Sequence, residues 1–197
     1  MFTSKRFKTQ RITCKYNHYL KTHINLQKSI KNELFLLGTK GGPAIRPKGS
    51  MPSSSLLVLD NEKILIDAGL GVAKSLTEIG FHLSELSNIF ITHLHSDHYL
   101  ELGPLIHTAW TTGLTEKIKI YGPKGLIDYW QKFLLSMQYD IKNRIKNEGR
   151  IPLKRIVKII PVKKKFLKVG KIKVKFLQVP HPPLKECYAY KFIGSKK

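Results

Sequence analysis

The chain has 197 residues, of which 42% are hydrophobic and 10% aromatic, and its formal net charge is +22. This length and apolar content are typical of one globular domain with a buried core, and they exclude an intrinsically disordered chain. There is no run of about 18 apolar residues, so no transmembrane helix and no membrane partner are predicted. The two cysteines, Cys14 and Cys187, are too few for a disulfide framework, and we expect a reducing, cytoplasmic setting.

The positive charge is spread along the chain. Residues 1–32 contain eight Lys or Arg and no Asp or Glu, which leaves +14 of the charge to residues 33–197. We interpret residues 1–32 as a basic, flexible N-terminal tail, loosely like an organelle transit peptide and without the apolar core of a secretory signal. Lysines in segments such as KIKVKF favour a solvated basic surface, and a groove for a polyanion is the alternative.

From Glu33 the sequence alternates predicted strands and helices. The apolar segments ELFLLG, SSLLVLD, KILIDAG and NIFITH are predicted strands, and LGVAKSLTEIG has helical spacing with a glycine stop. YLELGPLIHTAWTTG and GLIDYWQKFLLSMQYDI are predicted helices on either side of the strand KIKIYGP. Four strand-like segments follow, IVKIIPV, KKFLKVG, KIKVKFLQVPH and CYAYKFIG. This mixture indicates an α/β layered domain rather than an all-β barrel.

A long loop rich in Gly, Pro and Ser, GTKGGPAIRPKGSMPS, separates the first two predicted strands. Its length favours a functional loop over a simple connection. The side chains of Arg46 and Lys48, together with backbone N–H groups of the glycines, could receive an anionic ester. The alternative is a solvated connection without a role in binding.

Ligand-type side chains are concentrated in the segment FITHLHSDH. Because side chains alternate along a strand, His93 and His95 project the same way from its end, and Asp97 and His98 follow where the chain turns into a helix. Imidazole and carboxylate groups that converge on one point suit zinc, with iron or manganese as competitors. We therefore expect His93 and His95 to bind one metal ion, and Asp97 and His98 to reach a second ion.

H-x-H-x-D-H after an apolar strand resembles the signature of the metallo-β-lactamase superfamily, and the glycine loop is similar to that of its ribonuclease Z and arylsulfatase-like branch. The resemblance covers roughly residues 33–195. It implies an αββα sandwich with metal ions at the edge where the two sheets meet. It also implies that Asp67, in ILIDAG, supports the site. His181, in VPHPPLKECYAYKF, becomes the third histidine on the first metal, although taken alone it leaves a structural role equally open.

The resemblance also predicts two ligands that this sequence does not contain. Members of the superfamily have a bridging aspartate and a late histidine, but no aspartate or histidine follows His181. We therefore expect residues 33–197 to form the N-terminal two-thirds of such a domain, with an apolar sheet face and a strand edge exposed. The first metal keeps three imidazoles and an open position. The pair Asp97 and His98 needs water or a partner, such as the second copy in a homodimer, to complete it.

The predicted function is a zinc-dependent hydrolase in which metal-activated water attacks a small anionic ester or a nucleic-acid phosphodiester, of the phosphodiesterase or aryl sulfatase class. Asp97 would orient or deprotonate that water as the catalytic residue. His107, in the helix after the motif, either faces the site or is a structural helix histidine. Two alternatives stay open. One is an inactive remnant of such an enzyme, and the other is an RNA-binding protein or an endonuclease of the kind that processes tRNA 3′ ends.

Overall fold

The computed structural model describes residues 32–163 and 166–195. The predicted N-terminal tail, apart from Asn32, lies outside the described residues and stays a prediction. Nine strands are present in this part of the chain, and all the strands expected from the sequence are among them. In chain order they are β1 (Glu33–Gly38), β2 (Ser54–Leu59), β3 (Glu62–Ile66), β4 (Asn88–Phe90), β5 (Ile118–Gly122), β6 (Val157–Pro161), β7 (Phe166–Val169), β8 (Ile172–Gln178) and β9 (Tyr188–Ile193).

The helices lie between β3 and β6. They are α1 (Val72–Glu78), α2 (Ser96–Tyr99), α3 (Leu102–Thr111), α4 (Leu126–Ser136), α5 (Gln138–Glu148) and α6 (Leu153–Ile156), with one 3-10 turn at Leu83–Glu85. The single helix predicted for GLIDYWQKFLLSMQYDI was wrong, because the chain bends at Met137 (φ −96°, ψ 7°) into α4 and α5. The bend allows Trp130 of α4 and Ile141 of α5 both to enter the core on the helical side.

The strands form two sheets. The first has six strands in the order β1-β2-β3-β4-β5-β6, and the second has three in the order β7-β8-β9. β3, β4, β5 and β6 pair in parallel, while β1–β3 and β7–β9 pair antiparallel. Because parallel strands end at the same edge of a sheet, the segments that follow β3 and β4 are brought side by side.

Alternating side chains of the first sheet supply two cores. In β3 and β4, Leu65 and Ile89 pack against the helices, while Ile64 and Phe90 pack against the second sheet. The helices, the first sheet and the second sheet therefore form three successive layers, as expected for much of an αββα sandwich. On the edge strand β1, Leu34 and Leu36 are 59% and 66% exposed, and the partial domain expected from the sequence stays a prediction.

The two sheets meet at one edge, beside the predicted ligands. There the N–H of Tyr188 at the start of β9 donates to the carbonyl oxygen of Thr92 (2.9 Å), and His93 forms a bridge with Cys187. None of the helices in the described residues is long and apolar enough to cross a membrane. The cytoplasmic setting and the homodimer expected from the sequence stay predictions.

Candidate metal centre

Three histidines converge where the two sheets meet. His93 and His95 follow β4, and His181 lies in the connection between β8 and β9, in a tight turn closed by a hydrogen bond from the N–H of Leu184 to the carbonyl oxygen of His181 (2.9 Å). One ring nitrogen of each lies within 4.8 Å of the others. His95 Nδ1 and His181 Nε2 are only 3.1 Å apart. At this distance the two nitrogens can share one proton or bind the same ion.

The donor set fits a divalent transition metal. Two imidazole nitrogens that bind one zinc ion at roughly 2.0–2.1 Å must lie within about 4 Å of each other, a condition that His95 and His181 meet. His93 is buried, and burial, followed by the neighbouring histidines, lowers its pKa to about 4. Its imidazole is therefore neutral near pH 7, which is the form that binds a metal.

Asp67 is buried behind the histidines and is hydrogen-bonded to two of the residues around them. It lies in a left-handed backbone conformation (φ 60°) just after β3. Its carboxylate accepts hydrogen bonds from the N–H of Thr92 (2.7 Å), the hydroxyl of Thr92 (3.0 Å) and Nδ1 of His98 (2.7 Å). Three donors on one carboxylate fix its position and orient the groups around it.

Thr92 connects Asp67 to His93. Its hydroxyl lies 2.9 Å from His93 Nδ1 and has one proton, which it donates to Asp67. His93 must then donate its Nδ1 proton to the Thr92 hydroxyl oxygen, and this leaves the lone pair on Nε2 free for a metal. Carboxylates that set the tautomer of a ligand histidine in this way strengthen metal binding.

Asp97 and His98 form a second, smaller group. Asp97 is 7% exposed, and its Oδ2 accepts a hydrogen bond from the N–H of Gly42 (2.7 Å) and lies 3.5 Å from His98 Nε2. Burial lowers the pKa of His98, but the hydrogen bond and charge of Asp67 outweigh it, so the pKa is raised. Among residues 32–163 and 166–195, the cluster of three possible metal ligands consists of His93, His95 and His181. Asp97 and His98 are not part of it, so this pair alone is a weak metal site.

Two other predicted residues lie in different surroundings. Arg46 is exposed in the glycine loop, in a turn closed by the N–H of Gly49 and the Arg46 carbonyl oxygen (3.0 Å). His107 Nε2 lies 2.8 Å from Asp140 Oδ2 on α5, and its ring packs beside Trp110. These contacts favour the structural role for His107 that the sequence left open. The glycine loop does approach the site, but through Gly42 and Asp97 rather than through Arg46.

Several contacts of the site were not predicted from the sequence. Thr92 directly precedes the first histidine, and its polar side chain directly after the apolar residues Ile89–Ile91 was the available signal. A Cβ on Gly69 would lie 2.4 Å from the carbonyl oxygen of Asp97, so glycine in ILIDAG allows the strand to approach the motif closely. Glu101 accepts a hydrogen bond from the N–H of Ala73 (2.9 Å) and another from the N–H of Gly71, and so holds the start of α1 beside the site.

Comparison with known proteins identifies the family. Residues 32–197 match the family described as anti-Pycsar protein Apyc1. The chain belongs to this family. It is also similar in sequence to ribonuclease Z of Clostridium botulinum, with 40% identity over 94 residues that cover 48% of this chain and 29% of the relative. The chain thus matches less than half the length of that relative.

Solved structures show the same fold. The metallo-β-lactamase fold protein YhfI from Bacillus subtilis is 24% identical, with a TM-score of 0.61, over 83% of this chain and 58% of that one. The short form of human tRNase Z is 20% identical, with a TM-score of 0.62, over 83% of this chain and 66% of that one. The chain therefore has the metallo-β-lactamase fold, as the H-x-H-x-D-H motif predicted, and its sequence relatives are of the ribonuclease Z branch.

Proposed function

We propose that this chain is a zinc-dependent hydrolase that cleaves phosphodiester bonds. The observation that carries the proposal is the convergence of His93, His95 and His181, from two sheets, with ring nitrogens within 4.8 Å of one another. Three imidazole ligands leave one position of a tetrahedral ion open, which is the arrangement of catalytic rather than structural zinc sites.

Within this site the bound ion would supply Lewis acidity and would activate water near neutral pH. The histidines would hold and orient the ion, and Asp67 orients His93 through Thr92. The Asp97 carboxylate is fixed on one oxygen by the N–H of Gly42, at 2.7 Å, so its other oxygen can accept a proton from the attacking water. Burial of His93 and Asp97 limits competing solvent around the reacting atoms.

The proposed substrate class rests on charge and on the sequence relatives. A formal net charge of +22 favours association with an anionic substrate. The similarity to ribonuclease Z favours a phosphodiester over an aryl sulfate as the bond that is cleaved. Exposed Arg46, in the loop that contains Gly42, could bind part of an anionic substrate outside the reacting centre.

A second candidate function is metal binding without turnover. The specific observation in its favour is that, among the described residues, Asp97 and His98 belong to no cluster of three or more possible metal ligands. Enzymes that use two metals position the attacking and leaving oxygens between them, and one ion gives weaker positioning. This candidate and the proposed hydrolase share the three-histidine site and differ only in activity.

The test is hydrolysis by the full chain after reconstitution with zinc. Bis(4-nitrophenyl) phosphate and 4-nitrophenyl sulfate would be compared as substrates, with His181→Ala as the site variant and His82→Ala, at an exposed histidine in another part of the structure, as the matched control. We expect the phosphodiester to be cleaved faster, and the activity to be lost in His181→Ala and retained in His82→Ala. Zinc binding without hydrolysis of either substrate would contradict the hydrolase and support the second candidate.

A further inference from the structure

The outer face of the second sheet carries a band of exposed lysines. β7, β8 and β9 contain no Asp or Glu, and all their lysines lie on the face that points away from the first sheet. The inner face is apolar and packs in the core between the sheets. These four lysines, which we call the lysine stripe, are Lys168, Lys173, Lys175 and Lys191, and all are exposed.

Strand register places the lysines in two directly facing pairs. Lys168 of β7 is opposite Lys173 of β8, and Lys175 of β8 is opposite Lys191 of β9. Like charges in directly opposite positions destabilise a sheet, so two adjacent pairs are unfavourable for folding alone. A negatively charged partner that lies across both pairs would remove this repulsion.

The two pairs form a diagonal band rather than a compact patch. The band passes from Lys168 on β7 across β8 to Lys191 on β9, and it advances by two residues along β8. The Cα atoms at its two ends are therefore roughly 12 Å apart. Along β8, the direction from Lys173 to Lys175 is also the direction towards His181. The Nζ of Lys173 lies 4.7 Å from the ring centroid of Phe166, which is 50% exposed at the edge of the band. A linear row of cations beside an accessible aromatic ring is suited to a single nucleic-acid strand.

We propose that the lysine stripe binds the phosphate backbone of single-stranded RNA. The stripe lies on a sheet face outside the metal centre and needs no metal. An anionic membrane is a poorer fit, because among the residues that the structure describes only two large apolar side chains, Phe166 and Leu177, are exposed beside the lysines. An RNA strand on the stripe would cross the second sheet diagonally from β7 to β9, and as it crosses β8 it would advance towards the end of that strand that leads to His181.

The test is RNA binding by the full chain in the presence of a metal chelator, so that hydrolysis cannot contribute. The probe is a fluorescein-labelled oligouridylate of about 20 nucleotides, followed by fluorescence anisotropy over a series of salt concentrations. The stripe variant replaces all four stripe lysines by Gln. The control variant removes the same charge elsewhere, by Lys→Gln substitutions at four exposed positions outside the second sheet: Lys117, Lys119, Lys142 and Lys154.

We expect the stripe variant to bind about two orders of magnitude more weakly than the unmodified chain at about 0.1 M salt, with a log–log salt slope shallower by about 2 to 3, because each phosphate contact on a single strand contributes about 0.7 to the slope. The control variant should bind nearly as well as the unmodified chain. Replacement of the same four stripe lysines by Arg keeps the charge and should preserve binding. It also serves as a check that the stripe tolerates substitution.

Three results would overturn the proposal. The stripe variant could bind RNA with unchanged affinity and slope while circular dichroism shows it folded. The control variant could lose as much affinity as the stripe variant, which would assign binding to total charge. The stripe variant could retain RNA binding but lose binding to phosphatidylserine vesicles, which would make the face a membrane surface. Hydrolysis by the metal centre is measured separately, so failure of the stripe and failure of the proposed enzyme are distinguishable.

Discussion

The three-histidine cluster and the group formed by Asp97 and His98 lie side by side but differ in the hydrogen bonds that the rest of the protein makes to their side chains. In the cluster, nitrogens of His93, His95 and His181 face one another at the junction of the sheets. In the second group, Asp97 accepts a hydrogen bond from Gly42, and His98 is bonded to Asp67. The first group therefore has three nitrogens that could bind one ion, whereas the second is stabilised by the protein's own hydrogen bonds.

This difference assigns separate tasks to residues of one short motif. H-x-H-x-D-H supplies two histidines to the cluster and two residues to the neighbouring group. Asp67 connects the groups, since it contacts His98 directly and His93 through Thr92. Metal binding should consequently depend most on the cluster, less on Asp67 and least on residues outside both groups.

Removal of a cluster ligand should have the largest effect. His181→Ala leaves two imidazoles, and we expect zinc affinity to fall by more than about 100-fold, because the loss of an outer partner alone typically costs 10–100-fold. Competition with a chromophoric chelator measures this. His82→Ala, at an exposed histidine away from the site, is the control. Equal affinities of His181→Ala and the control would remove His181 from the site.

Loss of the Asp67 carboxylate should have the next largest effect on zinc affinity. Asp67→Asn keeps the size of the side chain, and asparagine tolerates the left-handed backbone. The substitution removes the negative carboxylate, whose two oxygens accept hydrogen bonds from Thr92 and His98. We expect zinc affinity to fall by about 10–100-fold in the same competition assay. If Asp67→Asn binds zinc as tightly as the unmodified chain, the carboxylate does not orient the ligands.

Thr92→Val should have a smaller effect than Asp67→Asn. Valine has nearly the same size and shape as threonine but lacks the hydroxyl that connects Asp67 to His93. We expect zinc affinity to fall by about 10-fold, and Thr92→Ser to restore it because serine keeps the hydroxyl. Isothermal titration calorimetry on both variants measures the difference. The same loss in Thr92→Ser and Thr92→Val would mean that packing rather than the hydrogen bond is responsible.

His107→Ala should have the smallest effect on the site. His107 pairs with Asp140, which also accepts a hydrogen bond from Arg144 on the same helix, so the variant loses one bond between α3 and α5. We expect unchanged zinc affinity and a thermal unfolding midpoint lower by a few degrees at most. Reduced zinc affinity without reduced stability would support the other role considered for His107, in which it faces the site.

Local patterns in the sequence were sufficient for much of this architecture. The alternation in KILID and NIF predicted strands, and the two-residue spacing of His93 and His95 placed both on one side of a strand end. His181 is 86 residues from His95, and spacing alone left its role open. Only the resemblance assigned it to the cluster, and in the structure its ring lies beside that of His95.

Contacts between distant segments explain what the sequence did not predict. The hydrogen bond from Gly42 to Asp97 spans 55 residues, and the pair of His107 and Asp140 spans 33. Such pairs depend on how sheets and helices pack, and the hydrophobic periodicity of the sequence does not predict them. The bend at Met137 is of the same kind, because the sequence there has no proline or glycine and the core on the helical side determines the direction of α5.

The most direct test of the central claim is the number of zinc ions bound per chain. Elemental analysis of the full chain, purified without chelator and compared with His181→Ala, measures it. The contrast between the complete cluster and the two-residue group predicts one zinc ion per chain in the unmodified protein and none in the variant. Absence of zinc, or of any other transition metal, from both proteins would contradict the three-histidine metal site.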